Sequence, residues 1–137
     1  MPDPVPVTDL DAMIAGMRPD LRAETFVFCA LPEGADAAAL LPHAIATFHE
    51  DEGLSLLLPR VVAQAHGFPL DQPMRQITLQ VHSSLSGVGL TAAVAAALAD
   101  AGIPCNMIAA TRHDHAFVPA DMAERALAIL QDLSRRR

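Results

Sequence analysis

Residues Met74 to Ile103 read MRQITLQVHSSLSGVGLTAAVAAALADAGI, and three signals follow one another in that stretch. In Ile77-Thr78-Leu79-Gln80-Val81-His82 every second residue is apolar, which puts Ile77, Leu79 and Val81 on one face of a half-buried strand. A turn of Ser and Gly, from Ser83 to Gly89, comes next. An alanine-rich segment then carries Leu90, Val94 and Leu98 at intervals of four, one face of a helix. Gly102 ends it, because glycine accepts positive φ at little cost. A strand, a small-residue loop and a helix leave free N–H groups at the helix start, a natural seat for a carboxylate or phosphate.

Downstream, Ile103 to Ala109 reads as a strand, Thr111 to Asp114 as a turn and His115 to Val118 as the returning strand. Pro119-Ala120-Asp121 opens a last helix with Met122, Ala126, Ile129 and Leu133 along one face, and Arg135 to Arg137 at its negative end. Upstream, Pro2, Pro4 and Pro6 hold the first residues extended, and Thr8 or Asp9 caps a short helix to Met17 that Arg18-Pro19-Asp20 breaks. Glu24 to Leu31 is a strand closed by Pro32 and Gly34, and Ala35 to Leu41 one or two helical turns. His43 to His49 and Leu54 to Leu58 read as a hairpin through Asp51-Glu52-Gly53, with Gly53 at the position needing unusual φ. Pro59 begins a short helix, Arg60 to Ala65, which His66-Gly67 ends, and Phe68 to Pro73 is a linker.

Both halves thus run strand, helical segment, strand, strand, helix, each one strand short of βαββαβ. This predicts an α+β protein of two ferredoxin-like halves, residues 1–70 and 71–137, related by duplication, whose antiparallel sheets complete one another. The shared strand is expected to be Phe26 to Leu31 or the one from Ile77.

Composition narrows the function. Of 137 residues 52% are apolar and 18% charged, enough for a packed core. The net charge is −7, there is no Lys, Trp or Tyr, and Arg135, Arg136 and Arg137 hold a third of the cationic side chains. Such a chain has neither the basic face nor the stacking aromatics of a nucleic-acid reader, and nothing to attract it to an anionic membrane. Without Lys, the chain can form no Schiff base to pyridoxal phosphate and has no phosphate-loop lysine; no cofactor is expected. No apolar run reaches the ~18–20 residues of a membrane span, and Met1-Pro2-Asp3-Pro4-Val5 lacks the features of a secretory signal. Cys29 and Cys105 read as buried free thiols, and a cytoplasmic protein is expected.

The string Gly89 to Ile103 resembles the first loop and helix of the ACT domain. Gly89, Leu90, Leu98, Ala101, Gly102 and Ile103 match that family's pattern of a Gly, a Leu, a second Leu eight residues on and an Ala-Gly-Ile leading to the second strand. Thr111 to Leu130 resembles the family's ensuing hairpin and second helix. The first half, especially the Glu52-Gly53-Leu54 hairpin, is similar to the upstream domain of small bacterial tandem-ACT proteins. The sequence departs from the family at Ser86-Gly87-Val88-Gly89, where many members have an Asp-Arg-Pro-Gly type of loop. The resemblance implies the ferredoxin-like fold, a regulatory role, and an amino acid bound at this loop where two domains meet.

The loop has two readings. Ser83, Ser84 and Ser86 offer hydroxyls, and Gly87 and Gly89 let a ligand approach the backbone; alternatively Ser86 only caps the helix and the glycines serve a close packing contact. The acidic run Glu50, Asp51 and Glu52 is either a solvated turn or the receiver of a ligand's ammonium group. The residues expected at a ligand site are Glu52, Ser84, Ser86, Val88, Gly89, Leu90 and Asn106. From Leu90 to Ala99 the helix carries no charge, so a second domain or a second chain is expected against it, and a homodimer with it. His113 and His115, two apart, share a strand face and could begin a metal site, or simply be exposed or hydrogen-bonding groups; scattered His43, His49, His66 and His82 provide no fixed third ligand. His82 and the serines do not form a nucleophile–base pair, and no catalytic residue is expected. The expected function is a non-enzymatic, amino-acid-binding regulatory module; the alternative is an assembly module that dimerises or regulates a partner enzyme without a ligand.

Overall fold

The structure is a computed structural model that describes residues 9–82 and 86–136. The chain forms two compact units, one of Met1–Ala23 with Arg75–Arg137 and the other of Glu24–Met74.

The first unit begins with helix α1 (Leu10–Ala15). Its cap is Asp9, whose carboxylate accepts the N–H of Ala12 at 2.9 Å; Thr8, the other cap expected, lies outside the described residues. Arg18 at φ 40° turns the chain into strand β1 (Pro19–Pro32), which starts at a proline because the first position of a strand tolerates the missing N–H. The sequence placed a helix break at Pro19 and began the strand at Glu24. The strand in fact begins at Pro19, and its Pro19–Ala23 end belongs to this unit.

The other strands are β4 (Met74–Leu79), β5 (Asn106–Ala109) and β6 (Asp114–Pro119), in the order β1-β4-β6-β5. β5 and β6 are antiparallel, with Asn106 opposite Phe117 and Ile108 opposite His115. Helices α3 (Leu90–Asp100) and α4 (Ala123–Arg135) complete the unit and pack on α1 and on each other.

The alternation read from the sequence sends Ile77, Leu79 and Val81 to the core, where they meet Leu90, Val94 and Leu98 of α3 and Met13 and Ile14 of α1. Gly102 follows α3 at φ 75°, as the helix stop requires. The stripe of α4 is shifted from its expected phase. Residues Ala120–Met122 form a 3-10 turn, so the helical period starts at Ala123, and Ala123, Ala126, Leu130 and Leu133 are buried while Ile129 is half-buried.

In the second unit the order is β2 (Ala46–Glu50), β3 (Gly53–Pro59) and then the remainder of β1. Both pairings are antiparallel, with Cys29 opposite Leu56 and Phe48 opposite Ser55. Gly53 sits at φ 142°, confirming the hairpin's demand for an unusual backbone. Residues Ala35 to Leu41 form no regular helix; a single 3-10 turn, Leu41–His43, follows, since Pro42 limits further winding. α2 (Arg60–Ala65) has the expected limits. Val27, Cys29, Leu40, Leu56, Leu58 and Ala63 make this unit's own core.

Candidate ligand-binding site

Beyond β4, the N–H of Gln80 donates to the carbonyl of Met17 at 2.7 Å, and Val81 is buried. Ser83 and the expected site residue Ser84 lie outside the described residues. The chain resumes with exposed Ser86 and reaches α3 through Gly87, Val88 and Gly89. The N-cap of α3 is Gly89, at φ 103°, and not Ser86. Gly89 itself offers no side chain to cap the helix, whose first turn faces the loop with the positive end of an eleven-residue dipole.

Gly89 has a packing reason as well. A Cβ there would lie 3.1 and 3.2 Å from the two terminal methyls of Leu10, so α1 packs closely on the start of α3 and a side chain would push those methyls aside. Val88 projects outward, 80% exposed, whereas Leu90 is 4% exposed and anchored in the core. Leu90 can thus meet a ligand only through its backbone. Asn106 is exposed at the first position of β5. Ser86, Val88 and Gly89 are consecutive parts of one loop, and Glu52 belongs to the other unit, exposed in the β2–β3 turn.

Around that turn, the second unit has a cavity of about 550 Å³ between the hairpin and the Pro32–Ala37 segment. It is lined by Glu33, Glu50, Asp51 and His49 among others, and by no Arg. Glu50 accepts the hydroxyl hydrogen of Ser55, which fixes one carboxylate. Glu52 itself does not line the cavity, although both neighbours, Asp51 and Gly53, do. Such a wall favours a cation or ammonium group. Sequence reading singled out Glu50 and Asp51 but missed Glu33, which is brought to the hairpin by the pairing of Pro32 with Gly53.

His113 and His115 are hydrogen-bonding groups. His113 Nδ1 lies 3.3 Å from the carbonyl oxygen of Val81. His115 Nδ1 lies 3.1 Å from both Gln76 Nε2 and Thr78 Oγ1, and Gln76 Nε2 donates to Thr78 Oγ1 at 3.0 Å. Burial pushes the His115 pKa down, with the His113 and Arg22 charges acting the same way and Asp114 opposing. Neutral His115 with Nδ1 as acceptor satisfies both donors around it. Among the described residues no group of three His, Cys, Asp or Glu side chains could hold a metal ion. Cys29 and Cys105 are free thiols, buried and half-buried, and burial raises both pKa values, which favours the thiol over the thiolate. No helix among the described residues is long and apolar enough to cross a membrane.

Comparison with known proteins gives two adjacent family matches, an ACT domain over residues 5–75 and a second ACT domain over residues 72–132. No curated protein matches the chain. Among solved structures, the chain is similar to a Vibrio cholerae protein of unknown function, described as a possible transport protein, at 42% identity and TM-score 0.81, over 91% of this chain and 95% of that one. It is also similar in fold to the regulatory subunit of aspartate kinase from Thermus thermophilus, at 12% identity and TM-score 0.63, over 86% and 97% of the two chains. The third likeness is to Escherichia coli aspartokinase III in complex with aspartate and ADP, at 13% identity and TM-score 0.60, over 86% of this chain and 33% of that enzyme.

Proposed function

The chain belongs to the ACT-domain family, and from that premise we propose that it is a regulatory module whose ligand is an amino acid held at the Ser86–Leu90 loop. ACT domains are commonly ligand-binding regulatory modules, and the chain is one of tandem ACT domains. The observation that carries the amino-acid reading is the start of α3: an αL glycine at the N-cap of an eleven-residue helix, beside an exposed Val88. That arrangement suits a carboxylate, and the hydroxyls of Ser84 and Ser86 and the amide of Asn106 supply further polar contacts. No catalytic residue enters the reading.

The proposal extends to a cytoplasmic homodimer. Thr91, Ala92, Ala96 and Ala99 form an exposed stripe of α3 without a formal charge, which supports a second chain packing there. The same stripe favours the second reading, an assembly module that works without a ligand.

Isothermal titration against the twenty amino acids separates the two. The first reading expects saturable heat with one or a few of them, and Val88→Asp is expected to weaken that binding about tenfold or more by placing a carboxylate at the seat, with stability changed by less than about 0.5 kcal/mol. Gly89 is the wrong residue to substitute for this purpose, because its loss disturbs the contact with Leu10. Silence with all twenty at millimolar concentration ends the amino-acid reading, and analytical ultracentrifugation of the same sample then tests assembly.

A further inference from the structure

The Glu24–Met74 unit contains another cavity, of about 310 Å³, that shares no residue with the acidic one. One wall is four consecutive β1 residues, Val27 to Ala30; the other is Phe68, Pro69, Asp71 and Gln72, from the connection after α2. Successive strand residues point to opposite faces, so a void that touches all four lies at an edge of the strand. β3 holds the other edge, through the pairs Phe28 with Leu57 and Cys29 with Leu56. The cavity therefore runs alongside β1 on the side away from β3.

Its walls are held in place without a ligand. Val27 and Cys29 are 2% and 6% exposed and belong to the unit's core, against which Phe68 also packs. The N–H of Phe68 donates to the carbonyl of Ala63 at 3.0 Å, and Pro69 restricts the backbone after it. The Cys29 thiol donates within its own strand, 3.7 Å from the Val27 carbonyl oxygen, and adds no polar group to the wall, whose exposed apolar side chain on β1 is Phe28. Among the lining residues the single charge is the Asp71 carboxylate, with the Gln72 amide next to it, and none is cationic. The volume is at the lower end of the ~300–1,000 Å³ range of small-molecule sites.

We propose that this cavity is a second binding site, for a short aliphatic primary amine whose apolar body lies along Phe28, Phe68 and Pro69 and whose ammonium meets Asp71. A carboxylate on the same body would meet Asp71 with like charge and is excluded. The inference does not depend on the Ser86–Leu90 loop being occupied.

The test uses isoamylamine and isovalerate as probes, in titrations of the full chain followed by backbone amide NMR shifts. Isoamylamine is expected to give saturable shifts at Val27 to Ala30, Phe68 and Asp71, and isovalerate none there. Asp71→Asn is expected to weaken isoamylamine about threefold to fivefold, since the ammonium loses its ion pair with an exposed carboxylate. Ala30→Trp, at an exposed position, is expected to block the probe by filling the cavity. The site is overturned if isoamylamine gives no saturable shift at these amides, if isovalerate binds equally, or if Asp71→Asn binds as the parent does. Amino-acid binding at the loop is measured by shifts at Val88 and Gly89, so either site can fail alone.

Discussion

At Gly53 a Cβ would overlap the carbonyl oxygen of Leu31 and lie 3.0 Å from the Glu33 nitrogen, both rigid backbone, at a φ of 142° that side chains rarely adopt. At Gly89 the φ is 103°, but the atoms a Cβ would meet are the flexible methyls of Leu10. Gly89→Ala is expected to cost about 1–2 kcal/mol, chiefly the left-handed backbone, because Leu10 can give way. Gly53→Ala is expected to cost more than about 2 kcal/mol, because backbone must move. Urea denaturation of the two variants reads the order directly, and Gly89→Ala the more damaging of the two would contradict it. The need at Gly53 was legible in the sequence, since Asp-Glu-Gly between two apolar runs is a local turn signal. The reason for Gly89 was only half legible: a loop glycine before a helix announces itself, but Leu10, which packs against it, is remote in the chain.

Among the elements, β4 and β6 bring together the groups whose titration is expected to make the fold sensitive to acid. Gln76 and Thr78 of β4 hold His115 of β6 by its Nδ1, and Thr78 is only 4% exposed. The His115 pKa is lowered from 6.5, chiefly by burial and then by the His113 charge. The unfolded chain therefore takes up a proton first as pH falls. Stability from this group is fully present above pH 6.5 and is lost as pH drops from 6.5 through the lower folded value. Urea midpoints at stepped pH from 7.5 down to 5 are expected to fall in this window, and His115→Gln, which retains a polar side chain, is expected to flatten the slope. An unchanged slope in His115→Gln would assign the acid sensitivity to other groups. This network was not legible, because pairing across strands is not written in local periodicity. What periodicity did write is β4 and α3, whose buried faces repeat at strand or helix spacing, while α2 was written by Pro59 at its start and His66-Gly67 at its end. The start of β1 was lost for the same nonlocal reason: Pro19 and Asp20 look like a helix break, and only their place beside β4 makes them a strand.

At the scale of the molecule, the described residues form two hydrophobic cores, and none of them belongs to both. The first gathers three helices and parts of the sheet around Leu98 and Leu130; the second gathers a smaller set around Leu56 and Leu58. Tandem organisation was legible from the repeated order of elements, but the assignment of Pro19–Ala23 to the unit of the second half was not, because it depends on which strand neighbours β4. The candidate site was legible to the same degree: the Ser86–Leu90 loop is one local motif, while Glu33 joins Glu50 and Asp51 only through strand pairing. Separate cores imply separable opening. Leu58→Ala and Leu98→Ala remove fully buried side chains, 0% exposed in each case, and each is expected to cost about 2–5 kcal/mol. Native-state hydrogen exchange distinguishes where that cost falls. Leu58→Ala is expected to speed exchange in β2, β3 and the Phe26–Leu31 part of β1 while α3 and α4 stay protected, and Leu98→Ala to speed exchange in α3 and α4. Uniform acceleration of all these amides by Leu58→Ala would mean that the cores open together, and that the smaller one draws its stability from the whole chain instead of from its own six buried side chains.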